Sequence, residues 1–362
     1  MNHSAPSQPL RIAFVGLGRR GLANMRRHLV IEQATIAVLC DSSAAALGNA
    51  EDAIPESYPS PLLYHSWQEM LADRPAIDLV YVSTDWASHA PIAIASMEAG
   101  YNVAVEVPAV IDAASGERLI DTVRQTGRFF TMVENCCYDP FHLSTLALVE
   151  AGLLGQITHC EGAYIHDLRS ELRSGTWHGV MADRSQANPY PTHGLGPICQ
   201  ILAATGSGDR LKSVVSVSPV GPAGPNSSLI TTGEGRTILL QYDVVTPRPY
   251  SRLQTVCGTR GYLSKYPVPM AMLDGMAEPL TGEALDDLFG RYRHPLLDRY
   301  EPDGKRLGVP NMMNYIMDRR LIDLICSGSQ PDITVEDAVE WSSLSWLTRE
   351  SQASGQVVEI PL

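Results

Sequence analysis

The first 135 residues alternate short apolar runs with polar segments that carry helical spacing. The apolar runs lie at residues 11–15, 35–40, 77–82, 102–105 and 129–133. Helix signals separate them, such as the capping-box sequence of residues 66–69 and Gly100, which ends a helical stretch. Buried strands that alternate with helices predict an α/β domain on a doubly wound parallel sheet, the Rossmann arrangement.

From about Tyr138 the pattern changes. The apolar runs become longer, they alternate with polar residues, and turn residues separate them. These runs lie at residues 157–165, 211–217, 237–244 and 253–257, and two helices follow at about 311–326 and 334–350. Alternating runs of this kind predict an α+β domain with a mostly antiparallel open sheet.

A chain of 362 residues is long enough for two domains of roughly 150 residues each. The change of pattern predicts that they comprise residues 1–137 and 138–362. An open sheet leaves one face to be covered, so we expect the second domain to form a homo-oligomer.

Composition narrows the range of partners and compartments. With 27 Lys and Arg against 40 Asp and Glu, the net charge of −13 would repel a nucleic acid, so we expect none. The first ten residues are polar and no apolar run is long enough to span a membrane, so we expect no signal peptide and no membrane partner. Seven scattered cysteines without zinc-site spacing predict reduced thiols in a cytoplasmic protein with no metal site.

The clearest chemical signal is the sequence Gly-Leu-Gly-Arg-Arg-Gly at residues 16–21, which follows a strand and precedes a helix. Its glycines permit a tight turn and a close backbone approach, so a pyrophosphate can bind at the helix N-terminus. Arg19 and Arg20 oppose the helix dipole there, and a bound phosphate explains them better than a solvated helix start.

Asp41 ends the second strand, twenty residues after Gly21. A carboxylate at this position accepts hydrogen bonds from the ribose hydroxyls of adenosine and repels a 2′-phosphate. Ser42 and Ser43 provide no cation for such a phosphate, so the sequence favours NAD over NADP. The alternative is a tight glycine turn beside a solvated aspartate.

Together with the sequences Ser-Thr-Asp at residues 83–85 and Glu-Val-Pro at 106–108, the glycine turn resembles the glucose–fructose oxidoreductase and inositol dehydrogenase family. Ordinary dehydrogenases of that family carry a lysine in the middle of the second tripeptide. Val107 stands there in this chain, which disfavours a plain alcohol dehydrogenase.

One branch is more similar, the NAD-dependent glycosidases of glycoside hydrolase family 109, best known as α-N-acetylgalactosaminidases. The resemblance extends from Gly16 to about Gly261. It depends on residues 86–89, 106–109, 134–135, 164–169, 190–197 and 247–252. The most discriminating of these is Tyr-Pro-Thr-His-Gly-Leu-Gly-Pro at residues 190–197.

The resemblance implies which residues hold the cofactor and the substrate. The NAD would be lined by Gly16, Gly18, Arg19, Arg20, Gly21, Asp41, Trp86, His89, Glu106, Val107, Asn135, Tyr190 and His193. Tyr164 and Tyr250 would face the sugar. His178 would do so as well, because it stands where the branch has a substrate-contacting arginine.

It also implies a redox-neutral reaction on a glycoside such as an N-acetylgalactosaminide: oxidation at C3, deprotonation at C2, elimination of the C1 group, addition of water and re-reduction. We expect Tyr164 to take the C2 proton, and Tyr190 and His193 to handle the C3 hydroxyl. A tyrosine with its ordinary pKa of about 10 serves as a base only beside a cation or a hydrogen-bond donor. Because Val107 replaces the lysine, His193 and the oxidised nicotinamide are the expected sources.

Each candidate also has a purely structural interpretation. Tyr164 could be a sheet-face aromatic, Tyr250 could pack in a turn, and Thr192 could cap a helix whose first turn leaves His193 solvated. Two other functions also remain open. One is an NAD-dependent sugar or cyclitol dehydrogenase, and the other is a non-catalytic protein that binds NAD and a sugar.

Overall fold

The computed structural model describes residues 8–173, 187–218 and 225–361. The chain divides into two compact units. The first comprises the chain up to Val133 together with Asp303–Asn311 and Tyr315–Val339. The second comprises Glu134–Pro302, Met312–Asn314 and Glu340–Leu362. The late segments of the first unit do not follow from the order of patterns along the chain.

A six-stranded parallel sheet forms the centre of the first unit. Its strands are β1 (Leu10–Val15), β2 (Ala34–Cys40), β3 (Leu62–Tyr64), β4 (Leu79–Val82), β5 (Asn102–Val105) and β6 (Phe130–Met132). They lie in the order β3-β2-β1-β4-β5-β6, which confirms the predicted doubly wound sheet. The order reverses between β1 and β4, where such sheets bind dinucleotides.

Five helices connect these strands: α1 (Arg19–His28), α2 (Ala44–Glu51), α3 (Trp67–Asp73), α4 (Trp86–Glu98) and α5 (Ala113–Thr126). The predicted start of α3 is present, since the Ser66 hydroxyl accepts a hydrogen bond from the Glu69 amide. Asp85 caps α4 in a similar way through the amide of Ala87. Local sequence therefore determines where these helices begin.

The second unit contains an eight-stranded sheet in the order β13-β12-β11-β7-β10-β9-β8-β14. Its strands are β7 (Ile157–Ile165), β8 (Leu211–Val217), β9 (Asn226–Thr232), β10 (Thr237–Asp243), β11 (Ser251–Gly258), β12 (Gly261–Ser264), β13 (Met270–Leu273) and β14 (Val358–Glu359). Among these described strands, β7 and β10 pair in parallel and the other neighbours are antiparallel. The predicted mostly antiparallel sheet is confirmed.

Within the described residues, the other helices begin with a 3-10 turn at Asn135–Tyr138. They are α6 (Pro140–Glu150), α7 (Arg169–Arg173), α8 (Thr192–Ala204), α9 (Glu283–Arg291), α10 (Pro295–Arg306), α11 (Met312–Ser327) and α12 (Val335–Ser354). At the start of α12, Thr334 and Asp337 exchange hydrogen bonds in a reciprocal cap. This is the helix start that the sequence predicts.

Side-chain contacts anchor the last segment of the first unit, Tyr315–Val339. Arg27 in α1 donates from Nε to the buried carboxylate of Asp318 in α11 at 2.7 Å. The hydroxyl of Thr131 donates to the carbonyl of Ile333 at 3.0 Å. Both contacts join residues about 200 or more positions apart, which explains why patterns along the chain do not reveal this segment.

Candidate active site

Two glycines of the turn after β1 leave no room for a side chain. Gly16 has a positive φ of 88°, and a Cβ there would lie 2.6 Å from the carbonyl oxygen of Ser83. A Cβ on Gly21 would lie 1.8 Å from the carbonyl oxygen of Gly16. Neither position accepts a larger residue, so the turn keeps α1 close to the end of β1.

The N-terminus of α1 is suited to an anion. Its first flanking residue, Gly18, has extended backbone and no side-chain cap, and a Cβ there would point into open space. The first-turn amides of a helix need partners from outside the helix, and phosphate oxygens supply them. This open cradle fits the pyrophosphate of a dinucleotide.

Asp41 follows β2 and is held by backbone amides. Its Oδ2 accepts from Leu17 at 2.6 Å and its Oδ1 accepts from Ser43 at 2.8 Å. Each carboxylate oxygen has a second lone pair, so both can still accept a ribose hydroxyl. The carboxylate thus lies beside the glycine turn, as the sequence predicts for NAD.

Arg20 is tied to the second part of the predicted cofactor site. Its Nε donates to Oε1 of Glu106 at 2.6 Å, and Glu106 is buried at the end of β5. Asn24 donates to the same carboxylate oxygen at 2.8 Å and to the Ser83 hydroxyl at 3.0 Å. The structure therefore brings Arg20 and Glu106 together; Arg19 and Arg20 are both exposed residues of α1.

Trp86, His89 and Val107 are buried in the first unit. The ring nitrogens of His89 lie 2.8 Å from the carbonyl of Pro108 and 3.1 Å from that of Thr84. Burial lowers the pKa of His89 although both carbonyls oppose this effect, so the ring is neutral at neutral pH. A neutral ring has one N–H, so His89 donates to one of these two carbonyls and lies between the segments that contain Thr84 and Pro108.

In the second unit, two glycines bring α8 against β7. A Cβ on Gly194 would lie 2.5 Å from the backbone nitrogen of Ala163, and one on Gly162 would lie 2.3 Å from the Gly194 carbonyl oxygen. This close approach places the first turn of α8 on the strand that carries Tyr164. The ring centroid of Tyr164 lies 5.7 Å from that of His193.

His193 is the centre of a hydrogen-bonded cluster. Its Nδ1 lies 2.7 and 2.8 Å from the two carboxylate oxygens of Glu134, whose side chain is completely buried. Its Nε2 lies 3.3 Å from the hydroxyl of Tyr190. The Sγ of Cys136 lies within 4.8 Å of a carboxylate oxygen of Glu134 and of a ring nitrogen of His193. Glu134, Cys136 and Tyr190 thus surround the His193 ring.

The contacts in this cluster shift the pKa values of His193 and Glu134 in opposite directions. Burial would lower the pKa of His193, but its interactions with Cys136 and Glu134 more than offset this and raise that pKa to about 10. Burial would raise the pKa of Glu134, but His193 lowers it below the usual range. Both shifts favour an imidazolium beside a carboxylate at neutral pH.

The predicted sugar-facing tyrosines belong to one aromatic group. Tyr164 and Tyr190 have ring centroids 5.0 Å apart, and the Tyr164 hydroxyl lies 3.3 Å from Nδ1 of His166. The His166 ring in turn lies 5.4 Å from that of Tyr250, which is 46% exposed. The structure thus connects Tyr164, Tyr190, His193 and Tyr250 within the second unit.

Asn135 and His178 are the last two predicted site residues. Asn135 begins the 3-10 turn directly after Glu134, and its amide donates to Asn314 at 2.7 Å. His178 lies outside the described residues.

The sequence did not point to three polar residues near these aromatics. The carboxylate of Asp139 caps α6 and forms ion pairs with both Arg252 and Lys265. Burial would raise the pKa of Asp139, but the two cations lower it. Arg252 follows Tyr250 by two residues, so this buried pairing fixes the chain that carries Tyr250. The only signal was the Pro-Arg-Pro-Tyr-Ser-Arg sequence at residues 247–252.

Glu134 and Cys136 were also missed as members of the His193 cluster, although residues 134–135 belong to the predicted motifs. They lie almost 60 positions before His193, and no spacing rule connects them.

Comparison with known families covers nearly the whole chain. Residues 10–134 match the oxidoreductase family with an NAD-binding Rossmann fold. Residues 138–224 and 224–362 match the C-terminal domain of glycosyl hydrolase 109. None of the described helices is long and apolar enough to cross a membrane.

Individual relatives of the chain support the same family. The chain is 43% identical to a protein named alpha-N-acetylgalactosaminidase from Bacteroides fragilis, over 98% of this chain and 92% of that protein. It is 42% identical to a glycosyl hydrolase family 109 protein from Phocaeicola vulgatus, over 100% and 96% of the two chains.

Solved structures share the fold. A scyllo-inositol dehydrogenase from Lactobacillus casei with bound NAD(H) and scyllo-inositol superposes with a TM-score of 0.74 at 15% identity, over 98% of this chain and 99% of that one. An aldose-aldose oxidoreductase from Caulobacter crescentus gives 0.72 at 19% identity, over 97% and 100%.

The strand order, the open glycine cradle and Asp41 define an NAD-binding protein that joins a Rossmann domain to a second, mixed-sheet domain. The match over residues 138–362 and the two bacterial relatives identify it further. The chain belongs to glycosyl hydrolase family 109, and it is an NAD-dependent glycoside hydrolase.

Proposed function

We propose that the protein is a redox-neutral glycosidase that acts on N-acetylgalactosaminides. The observation that carries this proposal is the 43% identity, over 98% of the chain, to a relative named alpha-N-acetylgalactosaminidase. At this identity over full length, the aromatic and histidine residues of the second unit are expected to serve a similar substrate.

We propose that the cofactor residues act as the sequence predicts. Gly16, Gly18 and Gly21 would accept the pyrophosphate, Asp41 the adenosine ribose, and Arg20, held by Glu106, a phosphate charge. Arg19, Trp86, His89, Val107, Asn135, Tyr190 and His193 complete the proposed set. When bound, NAD supplies a reversible hydride acceptor for C3 of the sugar, so cleavage involves no net redox change.

We propose that two tyrosines carry out the proton transfers. Tyr164 is proposed as the base for the C2 proton, because it is half-buried on β7 and its hydroxyl lies 3.3 Å from His166. Tyr190 is proposed to take the proton of the C3 hydroxyl, with His193 as its partner at 3.3 Å. A cation beside a phenol favours the phenolate, which makes tyrosine an effective base.

Tyr250 is proposed to contact the sugar. It is 46% exposed, and its ring centroid lies 5.4 Å from that of His166 and 6.1 Å from that of Tyr266. His178 remains a proposed substrate contact on the resemblance alone.

A panel of nitrophenyl glycosides tests the reaction. It should contain both anomers of several sugars, N-acetylgalactosamine included, and aglycone and NADH should be recorded together. The proposal predicts aglycone release without stoichiometric NADH, together with exchange of the C2 hydrogen with solvent. NADH that accumulates in proportion to substrate would instead indicate a dehydrogenase. NAD binding without either product would indicate a non-catalytic protein.

We also propose a homo-oligomer, formed through the outer face of the second sheet. Leu229 on β9 lies opposite both Val215 on β8 and Leu239 on β10, and Val217 lies nearby on the same face. Val215, Val217 and Leu229 are 36%, 61% and 43% exposed. Apolar side chains in such a row favour a protein partner. The seven free thiols support a reducing compartment, the cytoplasm.

A further inference from the structure

We propose that Glu134 is the positioning residue of this site: its carboxylate fixes the His193 ring as a cation that donates through Nε2 to the Tyr190 hydroxyl. The inference rests on the proposed function, because it assigns the source of positive charge for the tyrosine bases.

The geometry restricts the ring strongly. Both carboxylate oxygens of Glu134 lie within 2.8 Å of Nδ1 of His193, so that nitrogen must carry a proton and donate it. Oε1 of Glu134 is itself held by the backbone amide of Cys136 at 3.1 Å. With Nδ1 engaged in this way, Nε2 is directed at Tyr190.

Gly196 makes room for this carboxylate. A Cβ on Gly196 would lie 3.1 Å from Cγ of Glu134 and 2.9 Å from the ring of Trp341. Gly196 follows His193 by almost one helical turn, within the sequence motif of residues 190–197. One role of the second glycine in that motif is therefore to admit Glu134 beside α8.

Electrostatics supports the same conclusion. A carboxylate with no exposed surface is costly unless a cation pairs with it, and His193 lies closest among its contacts. The raised pKa of His193 agrees with an imidazolium at neutral pH. An imidazolium has no lone pair to take a proton, so His193 acts through its charge and Tyr190 or Tyr164 moves the proton.

The groups around His193 come from several elements of the second unit. The 3-10 turn provides Cys136, with Glu134 just before it, and the chain before α8 provides Tyr190. Tyr164 lies against the ring from β7. On β11, Arg252 interacts with Cys136 and is paired with Asp139, and on β10 the Tyr242 ring stacks on Tyr164.

The test measures the protonation of His193 directly as a function of pH. Protein labelled with ¹⁵N-histidine is titrated by NMR, with the His193 signals assigned from a His193→Gln spectrum. We expect wild-type His193 to be an imidazolium at neutral pH and above, and Glu134→Gln to lower its titration midpoint by about 2 pH units, a hundredfold change in proton affinity. The control is Glu161→Gln, which removes a half-buried carboxylate 3.8 Å from His159 in the same sheet.

Kinetics separates positioning from folding. Glu134→Gln should reduce kcat by about 100-fold while KM and NAD affinity change little, because a proton transfer is affected rather than binding. Glu134→Asp should retain the charge of His193 and recover part of kcat, and Glu161→Gln should match wild type. Thermal melting checks that each variant is folded.

Two results would overturn the inference: a neutral His193 in the wild-type protein at neutral pH, or an unchanged titration in Glu134→Gln. If Glu134→Gln does not fold, the wild-type titration alone decides. If no glycoside is cleaved, the proposed function fails while the titration still tests Glu134.

Discussion

Nε of Arg20 donates to Oε1 of the buried Glu106 at 2.6 Å, which connects the start of α1 to the end of β5. The pair holds a guanidinium next to the glycine turn, although a cation opposes the dipole at this end of a helix. A bound dinucleotide phosphate would compensate that cost. We therefore expect the affinity for NAD to depend on the Glu106 carboxylate.

Glu106→Gln should weaken NAD binding. Without the charge-assisted hydrogen bond Arg20 loses its fixed orientation, and we expect the Kd to rise about tenfold, the equivalent of roughly 1.4 kcal/mol. Isothermal titration calorimetry measures this. Glu98→Gln, an exposed carboxylate on α4, should leave the Kd unchanged. Equal affinities in Glu106→Gln and wild type would show that Arg20 does not depend on this pair.

Asp41→Ala should change the cofactor preference. The variant loses the acceptor for the ribose hydroxyls and the charge that repels a 2′-phosphate. The Kd for NAD should rise by about tenfold and the preference over NADP should narrow. Competition binding of both dinucleotides provides the readout, with the exposed Glu56→Gln as control. If the ratio of the Kd values for NAD and NADP were the same in Asp41→Ala and wild type, Asp41 would not contact the adenosine ribose.

Tyr164→Phe should abolish most turnover on a substrate that the wild-type enzyme cleaves. Loss of the C2 base is expected to cost about 100-fold or more in kcat and to stop exchange of the C2 hydrogen with solvent. Tyr242→Phe is the matched control, because its ring stacks on Tyr164 at 6.3 Å and its burial raises the pKa of its phenol. Full turnover in Tyr164→Phe would exclude it as the base.

Asp139→Asn should destabilise the fold. It removes the carboxylate between Arg252 and Lys265 and leaves a buried guanidinium without its anion, which costs about 3–5 kcal/mol. Because the pKa of Asp139 is lowered in the folded protein, its contribution is present above the unfolded value of about 3.9 and disappears as the pH falls through the folded value. The gap between variant and wild type should therefore narrow in acid.

Urea unfolding at several pH values measures that gap. The control is Asp167→Asn, which removes an exposed ion pair with Arg169 and should change the free energy of unfolding by less than about 1 kcal/mol. A similar small effect for Asp139→Asn would show that its ion pairs contribute no net stability.

The pH dependence of the His193 pair has the opposite sign. Because the pKa of His193 is raised to about 10, its stabilising contribution is complete below the unfolded value of about 6.5 and is lost as the pH rises through 10. The free energy of unfolding of the wild type should thus fall towards that of Glu134→Gln in alkaline solution. A difference that stays constant from neutral pH to pH 10 would contradict the ion pair.

The local motifs could be predicted from the chain alone. The glycine turn, Asp41 and the caps at Ser66 and Thr334 depend on backbone geometry within a few residues, and local residue types determine that geometry directly. The alternation of strands and helices predicted the two sheets for the same reason. These features sufficed to predict NAD and the class of fold.

Tertiary structure alone decided which distant side chains meet. Glu134 pairs with His193 across 59 positions, Asp139 with Arg252 across 113, and Arg27 with Asp318 across 291. No spacing rule encodes such contacts, because each results from the packing of whole elements, as when Gly162 and Gly194 let α8 approach β7. The residue types determined the available chemistry, and packing determined which side chains surround His193.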